Sequence, residues 1–268
     1  MIFRKIEHQQ EFDKRGYIII PVLDEKNSNE INKDFNFKTY GIEKPFFISI
    51  DIKNTDLRKS VQKTIKNKLE TNTNITNILN YEFILYSSSF ISQINEKDSG
   101  FYLHTDWSFF DQTKYSPVYT CIPLQNIAKD KNNGTMVVVP GSHKISIPYR
   151  GEGITEHYIS IILTKFSHYF EYLNVPKGHA VFFNPAIVHG LLPNTVNDRN
   201  VSIFCLMCEK NAEIIYCYKA KYSFFNRAKV YKVHEIDDYW YVKTGQKNKS
   251  CLQYIKTITI PNTRLSDK

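Results

Sequence analysis

Apolar positions follow two regimes along the chain, helix-like spacing over the first eighty residues and short strand-like runs thereafter. In the first regime, Thr55 to Leu69 sets Leu57, Val61, Ile65 and Leu69 four apart. That spacing predicts an amphipathic helix with a narrow apolar stripe. Phe12 to Gly16 reads as the end of a short helix stopped by glycine, followed by an apolar strand from Tyr17 to Val22. Residues 24–44 are polar and rich in Asn and Lys, which predicts loop with a helical piece. From Tyr81 onward, β-branched and aromatic runs recur between turn signals: Phe83 to Asn95, Val118 to Ile127, Thr135 to Val139, Ala180 to Phe183 and Val201 to Cys208. Short strands so spaced predict a mainly β sandwich or barrel rather than a βαβ sheet. No repeat and no Gly/Ser-rich or Pro-rich linker divides the chain. The expected organisation is one domain, with a helical N-terminal layer (about 1–80), a β core (about 81–220) and a C-terminal extension (about 221–268).

Composition narrows the function classes. The 268 residues are 42% hydrophobic and 23% charged, which excludes a disordered or fibrous chain. The formal charge of +8 invites nucleic acid, an anionic surface or an acidic substrate as partner. Only seven of the 35 basic residues are Arg, however, and Arg is the residue suited to bidentate phosphate and base readout. A nucleic-acid partner is therefore not expected, whereas an anionic small molecule stays compatible with the surplus of Lys. No run approaches the roughly 18 apolar residues of a membrane span, and Met1 to Gln10 has no signal-peptide core. Five scattered cysteines (Cys121, Cys205, Cys208, Cys217, Cys251) read as free thiols, so the expected compartment is cytoplasmic. Cys205 and Cys208 lie three apart on a predicted strand, hence on opposite faces, and make no chelating pair.

Among the eight histidines, His8, His157, His168 and His234 sit alone in polar context. His104 differs, because GFYLHTDWSFF separates it from Asp106 by one residue. On a strand, positions i and i+2 share a face, so imidazole and carboxylate can reach one ion. The pair alone is also what a histidine bonded to a nearby backbone group would show. His189, in FFNPAIVHGLLPN, adds a second imidazole at the end of another predicted strand. Two His and one carboxylate on one face make a facial triad for ferrous iron with three open positions. A 2-oxoglutarate cosubstrate would fill two of these and needs a cation for its far carboxylate. Arg199, ten residues after His189, has the planar fork that binds a carboxylate bidentately.

Three segments together resemble the phytanoyl-CoA dioxygenase family: FDKRGYIIIPVLD (Phe12 to Asp24), NNGTMVVVPGSHK (Asn132 to Lys144) and VPKGHAVFFNPAIVHGLLPN (Val175 to Asn194). The resemblance runs in order from about residue 10 to 208. It implies a double-stranded β-helix (a cupin-like jelly roll) and non-haem Fe(II)- and 2-oxoglutarate-dependent dioxygenase chemistry with O2, ascorbate serving as a reductant. It further implies that His104, Asp106 and His189 hold the iron and that Arg199 anchors the cosubstrate. Gln93 and Asn95, in FISQIN, match positions that line the cosubstrate site in some relatives. His143 of PGSHK falls in a turn motif, with Gly141 supplying the turn conformation. Relatives commonly place the arginine eleven residues after the distal histidine, one more than here.

The expected reaction is hydroxylation of an unactivated C–H bond of a small molecule, with release of succinate and CO2. Desaturation, cyclisation or epimerisation on the same triad, a metal-dependent cupin isomerase, and a catalytically silent jelly-roll binding protein remain the alternatives. Trp107, with Phe109, Phe110 and Tyr119 nearby, is a candidate for the substrate pocket. The long insertion from Ser146 to Glu171, carrying Tyr149, Arg150, Glu152 and His157, is a candidate lid.

Overall fold

A computed structural model of the chain describes residues 1–34, 44–71, 73–80, 82–154, 158–165, 167–220, 226–243, 245 and 252–261. The N-terminal layer forms from helices α1 (Ile6–Arg15), α2 (Glu25–Asp34), α3 (Thr55–Glu70) and α4 (Thr73–Ile78), with strand β1 (Tyr17–Pro21) between the first two. Gly16 ends α1 at φ +84°, a left-handed conformation costly for residues with a Cβ, and its N–H donates to Phe12 O at 2.7 Å. α3 starts where the Asn54 side chain accepts from Leu57 N at 3.0 Å, and it buries Val61, Ile65 and Leu69 as its apolar stripe requires.

Next come β2 (Phe46–Ile48), β3 (Phe83–Gln93), β4 (Phe101–His104), β5 (Val118–Pro123), β6 (Met136–Val139), helix α5 (Tyr158–Lys165) and β7 (Glu171–Tyr172). They are followed by β8 (His179–Phe183), β9 (Val188–Leu191) and β10 (Asn200–Glu209). Two antiparallel sheets result, in the orders β1-β8-β5-β10-β3-β2 and β4-β9-β6-β7. This is the mainly β architecture that the pattern predicts, in the jelly-roll form, with N-terminal helices, that the family resemblance implies. Several runs end earlier than predicted: β3 stops at Gln93, so Asn95 lies beyond the strand, and β5 stops at Pro123.

Strand alternation divides the core. On one side of the larger sheet, Phe90, Ile122, Phe182, Val201, Ile203 and Cys205 pack against Phe12, Val61, Ile65 and Leu69 of the helices. On the other, Tyr119, Cys121, Val181, Phe183, Leu206 and Cys208 face Met136 and Val138 of the smaller sheet. Cys205 and Cys208 thus belong to opposite cores, as their spacing predicts. Cys121, Cys205, Cys208 and Cys217 are buried free thiols, and Cys251 lies outside the described residues.

A third sheet, β11-β12-β13, joins Ile214–Tyr218 to Arg227–Val233 and Gln253–Thr259, with α6 (Ile236–Lys243) between its last two strands. The boundary expected near residue 221 therefore cuts through a sheet, because β11 pairs with the C-terminal strands. Tyr239 of α6 stacks on Phe109 with ring centroids 4.0 Å apart, so the C-terminal segment caps one end of the jelly roll. No helix among the described residues is long and apolar enough to cross a membrane.

Asp111 ties this third sheet to the rest. Its carboxylate accepts from Thr113 Oγ1 at 2.6 Å, Tyr149 Oη at 2.7 Å and Lys256 Nζ of β13 at 3.1 Å. Burial alone raises its pKa, but these donors outweigh it and bring the carboxyl down to about 2. In the unfolded chain an aspartate titrates near ~4, so the stabilisation is full above that pH and is lost as pH falls toward the folded value. Asp111→Asn is expected to lose about 1–2 kcal/mol at neutral pH. The gap to wild type should narrow at acid pH, which urea unfolding at about pH 7 and about pH 2.5 will show.

Candidate metal centre and active-site cavity

β4 and β9 are antiparallel neighbours, and their register sets His104 directly opposite His189. The ring centroids lie 4.5 Å apart. Asp106, two residues beyond His104, completes the group: His104 Nε2 lies 3.7 Å from Asp106 Oδ1, and His189 Nε2 lies 3.5 Å from Asp106 Oδ2. One ligand atom from each residue lies within 4.8 Å of the others.

Both imidazoles are oriented by their own strands. His104 Nδ1 donates to Tyr102 O at 2.8 Å and His189 Nδ1 donates to Ile187 O at 3.0 Å. A carbonyl only accepts, so the proton sits on Nδ1 and the Nε2 lone pair of each ring points toward Asp106. The histidine bonded to backbone and the histidine facing a ligand site are thus the same residue, working through its two nitrogens. Asp106 Oδ2 is buried with no hydrogen-bond partner. An orphaned carboxylate oxygen beside two imidazole lone pairs is the donor set of a 2-His-1-carboxylate metal site, so the residues fit ferrous iron.

The electrostatics agree. Burial opposes ionisation of Asp106, yet His189 and His104 hold its carboxyl below the usual range. Burial lowers the His189 pKa to about 4, with the neighbouring His104 acting in the same direction. His189 is therefore neutral at physiological pH, the form that ligates metal.

The triad lies on the wall of a cavity of about 780 Å³. Phe46, Ile48, Phe101, Tyr119, Phe183 and Phe204 give it apolar walls, and Ser87 and Ser89 of β3 add hydroxyls. Trp107 lines it as well, edge-on to Tyr216 with centroids 6.2 Å apart. Phe109 and Tyr119 also reach the cavity. Phe110 does not, being buried against Tyr86 instead.

The insertion is not a loose flap over its first third. Arg150 is 2% exposed, and its Nε and Nη1 donate to Asp106 O and Ile147 O, each at 2.7 Å. Tyr149 bonds Asp111, and Glu152 accepts from Tyr216 Oη at 2.6 Å. Ile154 and Ile159 reach the cavity, while His157 lies outside the described residues. His143 does not cap its own turn: its Nε2 reaches Asp13 O of α1 at 3.2 Å, and Gly141, at φ +80°, donates its N–H to Arg15 O.

Three sequence-predicted cosubstrate residues lie elsewhere than expected. Asn95 is exposed and donates to Asn197 Oδ1, away from the cavity. Gln93 faces the interior of the jelly roll, but its Nε2 donates to Ser99 O and Leu192 O and its Oε1 accepts from Asn200. Arg199 points to the outer face of the large sheet, where Nη1 donates to Ser92 Oγ at 2.9 Å. The cause is parity: Arg199 shares the side of Val201 and Ile203, and Asn200 takes the inward position. Two charged cavity residues escaped the sequence reading, Asp51 and Lys243. Neither carries a motif, and they arrive there from a short 3-10 turn (Ser49–Asp51) and from the end of α6.

The family model described as phytanoyl-CoA dioxygenase (PhyH) matches residues 12–201. The chain belongs to that family. A curated relative, the peroxisomal phytanoyl-CoA dioxygenase of Bos taurus, is 29% identical over 126 residues, covering 45% of this chain. The matched stretch spans 37% of that protein's length. Among solved structures, HygX from Streptomyces hygroscopicus with nickel and 2-oxoglutarate bound superposes with a TM-score of 0.56. It is 14% identical, and the match covers 77% of this chain and 88% of HygX. SnoK, a non-heme alpha ketoglutarate dependent carbocyclase from nogalamycin biosynthesis, superposes with a TM-score of 0.50 at 18% identity, covering 78% and 86%. These two likenesses are likenesses of fold. Family membership and the triad place the chain among Fe(II)- and 2-oxoglutarate-dependent oxygenases, enzymes whose cofactors are iron and 2-oxoglutarate.

Proposed function

We propose that the chain is a single oxygenase domain that hydroxylates an unactivated C–H bond of a small molecule, with O2 as oxidant and succinate and CO2 as by-products. The observation that carries this reading is the cross-strand triad His104, Asp106 and His189 on the wall of a cavity large enough for a metabolite. When bound, iron and 2-oxoglutarate supply the oxidising equivalent; the protein supplies placement and a dry site. His104 and His189 present preset Nε2 lone pairs, and Asp106 adds the charge that the divalent ion needs. Asp106 is fixed through its main chain, whose N–H donates to Pro185 O and whose carbonyl accepts from Arg150. Tyr119, Phe183 and Phe204 keep water from the reacting carbon and favour a substrate with an apolar body. The carboxylate at Asp106 supports hydroxylation over halogenation, since halogenating relatives lack it.

The same triad would serve desaturation, cyclisation or epimerisation, and the SnoK likeness keeps those outcomes in view. Mass change separates them. Enzyme with Fe(II), 2-oxoglutarate and ascorbate, incubated with a metabolite extract, is expected to release succinate and to convert one compound to a +16 product. A loss of two mass units, or no mass change with a new retention time, would replace hydroxylation by one of the others. No succinate above the no-extract control, with Fe(II) bound, would support the silent binding protein.

A further inference from the structure

In the family pattern, the far carboxylate of 2-oxoglutarate meets an arginine on the strand after the distal histidine. Here the family's commoner spacing of eleven residues from His189 falls on Asn200, and Arg199 is turned to the other face of the sheet. The inward position is also shut. Asn200 Nδ2 donates to Gln93 Oε1 and Asn133 O, both at 2.9 Å, and Asn200 Oδ1 abuts the Gln125 side-chain amide. Gln93 spends its own donors on two backbone carbonyls, at 2.6 and 2.9 Å. Gly134 seals the cluster: a Cβ there would stand 2.2 Å from Gln93 Oε1 and 2.4 Å from Asn200 Nδ2. The space left among these side chains is about 20 Å³, too small for a carboxylate, and the buried cluster is neutral.

The main cavity has cations of its own. Among the described residues that line it, these are Arg150 and Lys243. The Arg150 Nε and Nη1 face the carbonyls of Asp106 and Ile147. Lys243, at the C-terminal end of α6, holds its Nζ 4.8 Å from the Trp107 ring centroid, next to the residue that follows the iron-binding carboxylate. We propose that Lys243 takes over the arginine's task and pairs with the far carboxylate of 2-oxoglutarate. This inference rests on the oxygenase reading above. A lysine suits the site because a single point charge on a flexible stem asks for no bidentate geometry from the strand. Burial lowers the ammonium pKa, while Asp106 and Asp51 oppose that effect.

Anaerobic titration of the Fe(II) protein with 2-oxoglutarate, followed by the metal-to-ligand charge-transfer band, tests this. Lys243→Met is expected to raise the midpoint about 10- to 100-fold with the band intact at saturation, the loss of one charge-assisted pair. Lys243→Arg should recover most of the affinity, and Arg199→Met should titrate like wild type. 2-Oxobutyrate, which lacks the far carboxylate, is expected to bind wild type and Lys243→Met alike. An unchanged 2-oxoglutarate midpoint in Lys243→Met, or a weakened one in Arg199→Met alone, overturns the inference. Should Lys243→Met not fold, equal binding of 2-oxoglutarate and 2-oxobutyrate by wild type overturns it as well. Absence of the band from wild type would remove the oxygenase reading and this inference together, whereas the other outcomes bear on Lys243 alone.

Discussion

Asp106→Ala is expected to abolish Fe(II) binding and turnover while leaving the metal-free fold intact. Its two oxygens sit 3.7 Å from His104 Nε2 and 3.5 Å from His189 Nε2, and one of them has no other partner. Two neutral imidazoles alone give a divalent ion no charge compensation. Affinity should fall by more than the about 10- to 100-fold that follows loss of a ligand's hydrogen-bonding partner. Succinate formation should fall by about 10³-fold or more, because metal catalysis supplies several kcal/mol and each 1.36 kcal/mol is tenfold. The metal-free variant should unfold within about 1 kcal/mol of wild type, as the carboxylate makes no buried hydrogen bond at Oδ2. Fe(II) or Ni(II) should raise the unfolding temperature of wild type and not of Asp106→Ala. A variant that is stabilised by metal like wild type and keeps turnover within tenfold would remove Asp106 from the centre.

His104, Asp106 and His189 were legible because period-2 geometry speaks directly from sequence: positions 104 and 106 share a face wherever that segment is extended. The cross-strand partnership of His104 with His189 was not legible, since pairing over that distance is decided by the whole sheet. Arg199 shows how sharp the limit is. Its residue type and approximate place suit a carboxylate anchor, yet one position along a strand reverses the face, and the inward site falls to Asn200. Asn95 lies two residues past the end of β3, where its side chain meets Asn197 at the surface. In the N-terminal layer, α3 announced itself through spacing and α1 through Gly16, whereas α4 carried no such signal. Lys243 and Tyr239 had no such voice: α6 reaches the jelly roll only through the hairpin-like frame of β11 to β13, a long-range contact without a local pattern.

Arg150→Met is expected to weaken both the fold and the metal centre, and the coupling between the two losses is the informative part. The guanidinium is 2% exposed and donates to Asp106 O and Ile147 O, while the Arg150 main chain exchanges hydrogen bonds with Ser108. Methionine fills similar volume but leaves two buried carbonyls without their donors, each costing about 1–3 kcal/mol. A loss of about 3 kcal/mol overall corresponds to roughly 6–12 °C in unfolding temperature for a chain of this size. Released from Arg150, the Asp106 backbone is held by its N–H to Pro185 O, and the carboxylate loses part of its orientation. Fe(II) affinity should then drop about 10- to 100-fold, measured well below the melting point so that unfolding does not contribute. Lysine in place of Arg150 cannot reach both carbonyls with a planar fork, so Arg150→Lys should recover stability only in part. Arg150 acts as a positioning residue if metal affinity falls in the folded variant. A variant that loses stability yet binds Fe(II) like wild type would make it a structural residue of the insertion and no more.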